Sequence, residues 1–416
     1  MISDEYDDVS DEPNGGTRWK LVLAIVSFSL LVFTCWSLWP SPPPKPPEGV
    51  KQADYDKAAL EFAAKAHRRA EHSDTLITLA DSAVRRNRIG DAMKLLEQVP
   101  FSDVRNGQGA LRRRAQLALK DNQIELAESA LTELLKRAEA TGTTDTDECR
   151  FAKEILGFIY AMELRFDERK QIMSQLRDEV LLEPLLSAQY HFPSLIPWRS
   201  PQQRERLMEF LKKDPANVKL LVAYARHLIG EGKTDDAEKL LNVILQQHPK
   251  YLPAVAAQAE CLYSESQWQE LQSLLESAPE FSTSEPWLLT QMRAESATQA
   301  KNWKDAEAYY NHLLTVDPAN PAYYLGFAEV CANTNREQQR REAQRSASLL
   351  SELRIILPDA NEKNAGAIKE VAAQADNLGL KNAAKDFQLL AAKLGGQMPD
   401  GESPNSFDGF QGPKGP

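Results

Sequence analysis

The chain has 416 residues, 42% hydrophobic and 26% charged, which is too long for one ordinary compact domain and apolar enough for a real core. Its net charge of −11 excludes nucleic acid as a main partner, because phosphate binding needs a basic surface. Cys35, Cys149, Cys261 and Cys331 form no CxxC pair and no histidines cluster near them, so neither a zinc site nor a disulfide framework is expected, and Cys261 and Cys331 read as small core residues.

Residues 1–20 hold six Asp/Glu before Pro13 and a Gly15-Gly16 pair, and so little apolar surface predicts a disordered acidic tail. Leu21 to Trp39 then runs for 19 residues without a charge. At about 1.5 Å per residue this makes roughly 28 Å of helix, close to the roughly 30 Å of a bilayer's hydrocarbon. Trp19, Trp36 and Trp39 sit near its ends, where indole rings favour the interface. A cleaved signal peptide would begin short and basic and end at a small-x-small site. Here the start is long and acidic, and Val32-Phe33-Thr34-Cys35 also lacks the small residue that precedes a lipoprotein cysteine.

A single transmembrane helix at 21–39 is therefore expected, with the lipid bilayer as its partner. Arg18 and Lys20 abut it on the N-terminal side, and the first base beyond it is Lys45. That flank puts the N-terminus in the cytoplasm and the main body outside, although Lys45, Lys51 and Lys57 cancel the bias over a wider window. Residues 40–54 include the run SPPPKPP, a stiff extended linker of about 3.1 Å per residue. Residues 395–416 are dense in Gly and Pro and read as a second disordered tail.

Between these ends the hydrophobic pattern is helical, with almost no strand signal. The clearest unit runs from Val218 to Tyr251, bounded by Pro215 and Pro249, 34 residues apart. Leu221, Tyr224, Ala225 and Leu228 form one stripe. After the turn Gly230-Glu231-Gly232-Lys233, residues Ala237, Leu241 and Ile244 form a second. A 12-residue interval between small residues recurs as Ala80/Ala92, Ala115/Ala127, Ala225/Ala237 and Ala294/Ala306. It suits two helices that cross closely, where a larger side chain would push them apart. Two units depart from it: Gly157 is followed by Arg169, and Ala259 by Leu271.

These residues resemble the tetratricopeptide repeat (TPR), with its large residue, Leu, small residue and Tyr on a first helix and its Ala, apolar residue and Pro on a second. Asp317-Pro318-Ala319-Asn320 is similar to a TPR boundary, and a further unit starting at Tyr324, Phe327 and Ala328 carries an insertion around Asn335 to Glu342. The resemblance implies an all-α, right-handed superhelical solenoid of about seven to nine helix pairs. TPR-like repeats are expected over 55–180 and 218–394. Residues 181–217, interrupted by Phe192-Pro193 and Ile196-Pro197-Trp198, should hold an atypical helix pair that divides the array into two lobes.

Such solenoids offer an extended concave face to peptides or proteins. The resemblance implies a groove lined by four positions of each first helix, which here include Arg112, Gln116, Glu154, Phe158, Lys219, Arg226, Glu260, Tyr263, Gln291, Glu295 and Glu329. The groove would be basic near the middle and acidic toward the C-terminal end; an ordinary solvated face fits the same residues. Ile77 and Asp81 stand where the family's chaperone-tail clamp needs Lys and Asn. Arg85-Arg86-Asn87-Arg88 and Arg112-Arg113-Arg114 lie among many acids and read as solvated structural arginines.

HExxH, GxxxxGK[ST], GxSxG and GxGxxG motifs are all absent, and the histidines are scattered. No enzyme, cofactor, metal or small-molecule substrate is expected. The expected function is a membrane-anchored scaffold or adaptor for proteins or peptides, the alternative being a structural subunit packed permanently in a larger envelope complex. Anchor, stalk and repeats together resemble bacterial envelope assembly proteins, which implies a single-pass inner-membrane protein whose C-terminal domain lies outside the cytoplasm.

Overall fold

Short left-handed turns set the architecture. The computed structural model describes residues 72–103 and 106–395. Among them, helix α1 (72–85) is followed by α2 (Ile89–Glu97), α3 (Gly107–Lys120) by α4 (Ile124–Thr141), and α5 (Asp147–Met162) by α6 (Phe166–Glu179). Then come α7 (Pro184–His191) and α8 (Pro201–Lys213), α9 (Val218–Gly230) and α10 (Thr234–Gln247), and α11 (Leu252–Ser264) and α12 (Trp268–Ser277). The last three pairs are α13 (Trp287–Gln299) with α14 (Trp303–Val316), α15 (Pro321–Asn333) with α16 (Glu337–Ile356), and α17 (Ala365–Asn377) with α18 (Lys381–Leu394).

Within most pairs the connection is a three-residue turn whose middle residue has positive φ. Gly232, Ser266, Lys301 and Asn335 occupy this place, at spacings of 34, 35 and 34 residues. The turn is tight enough that partners lie antiparallel, and each pair packs chiefly on the next. The described residues thus form an all-α helical repeat solenoid of tetratricopeptide type, with a hydrophobic core at each interface rather than one central core.

The small residues sit where the helices cross. Ala80, Ala92, Ala115, Ala127, Ala225, Ala237, Ala294 and Ala306 are all buried, none more than 2% exposed. At Gly157 an added Cβ would come within 2.8 Å of Met173 Sδ, so the glycine admits a large residue from α6. Ala259 and Leu271 are both fully buried, so the second departure keeps the contact with a bigger partner. The expected insertion lies largely within a helix. Residues 334–336 make the usual turn, and the extra residues lengthen α16 to 20, with Ala343, Ala347, Leu350 and Leu353 buried along it.

The atypical pair α7/α8, at the expected division of the array, packs against regions far apart in sequence. Leu182, Tyr190, Leu207 and Phe210 belong to the core of the first repeats. Ala188, Phe192 and Leu195 pack instead among Leu350, Leu353, Ile368 and Phe387 of the last ones. Between α7 and α8 the chain forms a strap, residues 192–199, with a 3-10 turn at Pro193–Leu195. Asp386 of α18 accepts hydrogen bonds from Arg177 Nε at 2.7 Å and NH2 at 3.1 Å, and lies 2.8 Å from His191 Nε2. Burial opposes ionisation of Asp386, but His191 and Arg177 outweigh it and hold the carboxyl at about 2.

No helix of the described residues is long and apolar enough to cross a membrane. The expected membrane helix at 21–39, the N-terminal tail, the proline-rich linker, the start of the expected repeats at 55–71 and all but Gly395 of the C-terminal tail lie outside the described residues.

Candidate functional site: a charged pit between repeats

Arg169 holds the strap in place. It stands where the repeat pattern calls for alanine, yet it is only 4% exposed. Its Nε donates to Gly157 O at 3.2 Å, NH1 to Gln189 O at 2.9 Å and NH2 to Gln189 Oε1 at 2.8 Å. The guanidinium also lies 4.6 Å from the ring centre of Trp198, within cation–π range. Trp198 Nε1 in turn donates to Pro193 O at 2.7 Å, and Ser194 Oγ donates to Asp317 Oδ2 at 2.5 Å. The departure from the repeat thus anchors the segment that departs.

Beside the strap lies a cavity of about 700 Å³. Its walls come from the α5–α6 turn, the strap, and the first helices α9, α11, α13 and α15. On one side Arg165 is shared by three carboxylates: NH1 lies 2.9 Å from Glu128 and 2.7 Å from Glu163, and Nε 3.0 Å from Glu168. Lys219 Nζ donates to Glu128 at 2.8 Å. On the other side Glu260 accepts from both Arg199 and Arg226, the latter at 2.9 Å. Arg226 NH1 also donates to the carbonyl of Leu164 at 2.7 Å, across 62 residues.

Asp167 is different. Among the described residues it accepts only the backbone N–H of Trp287, at 3.3 to 3.4 Å and 120 residues away. Burial pushes its carboxyl up to about 7, and burial does the same to Glu163 against the opposing pull of Arg165. Burial also raises Asp317. It opposes ionisation of Glu260 as well, but Arg226 and Arg199 outweigh it and keep that carboxyl below its usual range.

Of the residues expected in the groove, Lys219, Arg226, Glu260 and Gln291 line this pit together. Glu154 and Phe158 line a second, more apolar cavity of about 440 Å³ that shares Trp198 as a wall. Tyr263 packs edge-on against Trp268 with centroids 5.5 Å apart. Glu295 lies near Tyr263, Tyr310 and Glu329, its carboxyl raised by burial, while Glu329 itself is exposed on α15. Arg112 sits apart, 4.5 Å over the Phe151 ring, and Gln116 is exposed on α3.

The middle of the groove was expected to be basic. Lys219 and Arg226 are there, but Glu128 and Glu260 neutralise them. Glu163 and Arg165 come from a turn, Asp167 from the start of the second helix α6, and Trp198 and Asp317 from connections. First-helix positions could not point to them, and the buried Arg169 was the one local signal.

Residues 205–281 match the tetratricopeptide repeat family. The match spans α8 to α12, which includes Lys219, Arg226 and Glu260. No curated protein matches the chain. Among solved structures, a tetratricopeptide repeat protein from Parabacteroides merdae is 12% identical, over 68% of this chain and 98% of that one, with a TM-score of 0.30. The Cut9–Hcn1 hetero-tetramer of the APC/C is 14% identical, over 82% and 65%, with a TM-score of 0.35. A human IFIT1 dimer with PPP-AAAA is 14% identical, over 76% and 89%, with a TM-score of 0.33.

Proposed function

We propose that this chain is a scaffold that binds a protein or peptide partner along the first-helix face of its repeats, held at a membrane by residues 21–39. One observation carries the reading: Lys219 and Arg226, Glu260 and Gln291 come from three successive first helices and converge on one open pit. A repeat that only stacks on its neighbours has no need to gather charged side chains around a void, since each costs desolvation energy there. The uncharged run 21–39 and its flanking tryptophans support the anchor. The adjacent Arg18 and Lys20 favour a C-terminal domain outside the cytoplasm, in a bacterial inner membrane. No catalytic role is part of this reading.

Peptide display on the full chain with a photo-crosslinking residue tests it. Placed at Gln291, inside the pit, the residue should capture selected peptides. Placed at Lys239, whose side chain is 79% exposed on α10, it should not. The reverse pattern would move the binding face to the outside of the solenoid. For the anchor, alkaline phosphatase fused after Pro416 should be active; a silent phosphatase with an active cytoplasmic reporter at the same place would invert the topology.

A further inference from the structure

We propose that the pit receives a cationic side chain, arginine or lysine, carried on an extended segment of the partner. This deepens the scaffold reading and rests on it. The argument starts from charge. Glu163, Asp167, Glu168, Glu260 and Asp317 line the cavity, facing Arg165, Arg199, Lys219 and Arg226. A sixth carboxylate, the buried Glu128, lies behind the wall and draws on Arg165 and Lys219. Lys170 brings a fifth cation near Asp317, although its ammonium donates to Tyr190 O at 3.3 Å. With Arg169 behind Trp198 as a sixth cation the surroundings balance, but on the wall itself five carboxylates face four cations, and each of those four is already ion-paired. An anionic guest would find no free base and would face Asp167 directly.

Asp167 is the acceptor that the chain itself leaves open. A carboxylate can accept about four hydrogen bonds, and this one receives only the backbone N–H of Trp287 and forms no ion pair among the described residues. An apolar plug would fill the space and leave that charge buried without compensation, which is costly. Aromatic residues complete the surroundings: Phe166, Trp198, Tyr251 and Trp287 all line the cavity. Aromatic faces beside a carboxylate suit a guanidinium or ammonium group, since the ring quadrupole attracts a cation. The raised carboxyls of Asp167 and Glu163 agree, since a positive guest supplies the charge they lack.

The test uses the full chain with ¹⁵N-labelled tryptophan and follows the indole signal of Trp287, assigned with Trp287→Phe. N-acetyl-arginine amide should shift that signal saturably. N-acetyl-citrulline amide, its neutral near-isostere, should bind about tenfold or more weakly. Asp167→Asn, which keeps an acceptor for Trp287 N–H, should weaken the arginine probe by a similar factor. Equal binding of citrulline, undiminished binding to the variant, or no saturable shift with arginine would each overturn the proposal. The citrulline comparison needs no variant and stands even where Asp167→Asn fails to fold. If display peptides still cross-link at position 291 while arginine shows no advantage, the scaffold reading survives and the cation does not; if nothing cross-links there, both fall.

Discussion

Replacing Arg169 by alanine restores the residue that the repeat pattern calls for, so repeat logic alone predicts a neutral or stabilising change. The structure predicts the opposite. Arg169 makes three hydrogen bonds to the chain segments it joins, each worth about 1.5 kcal/mol for a charged donor. Its stack on Trp198 adds about 1 kcal/mol, for a loss of about 5 to 6 kcal/mol. Against this, the guanidinium is buried without a carboxylate partner, and burial lowers its pKa to about 10. Removing it returns a desolvation cost of about 3 kcal/mol. The net destabilisation should be about 2 to 3 kcal/mol, concentrated in α7 and the strap. Denaturant unfolding gives the total, and hydrogen exchange over residues 184–199 gives the location. Arg169→Lys, which keeps the charge and loses the fork, should recover only part of it. An Arg169→Ala protein as stable as the parent, with unchanged protection over 184–199, would refute the assignment of Arg169 as the strap's anchor.

Three further outcomes follow from other sites. Ala237→Asp puts a carboxylate into a helix crossing that is fully buried and should cost several kcal/mol. Glu238→Ala beside it should change stability by no more than about 0.5 kcal/mol, and equal protection of 218–249 in the two proteins would undo the register. Lys301 is exposed with φ of 58° in an α13–α14 turn, so Lys301→Gly should raise stability by about 0.5 to 1 kcal/mol in thermal unfolding. The Asp167 carboxyl is raised in the folded state to about 7, so folding binds a proton that the unfolded chain has released, and stability falls as pH rises from about 4 toward 7 and then levels. Asp167→Asn should gain on the parent by about 2 kcal/mol between pH 5 and 7.5; parallel stability–pH curves would contradict the buried, unpaired state of that carboxyl.

How much of this was legible depended on how local the physics is. The helix pairs were readable because two crossing helices leave room for little more than Ala, and that demand returns with every repeat, as at Ala225 and Ala237. The turns carried a weaker mark, since Leu164, Ser266 and Lys301 adopt positive φ without being glycine. The pit was only half readable. Its first-helix residues follow from the repeat, but Asp167 meets Trp287 across 120 residues, and nothing near either residue announces the other. The strap showed in the sequence as a break in the pattern. That it fills a gap among the last repeats depends on Phe192 meeting Phe387, at 5.8 Å between centroids, which no periodicity encodes.

The contact of Asp386 with Arg177 and His191 bears on how the chain comes apart. An open array of repeats loses its ends first, because a terminal unit has one neighbour instead of two. Here α18 has a second partner near the middle of the chain, so peeling it away also strips the cover from Phe192 and breaks a buried ion pair. Fraying from the C-terminal end then costs more than it would in an open array. The last six pairs should melt as one cooperative block rather than unzip, and an exopeptidase working inward would stall at α18.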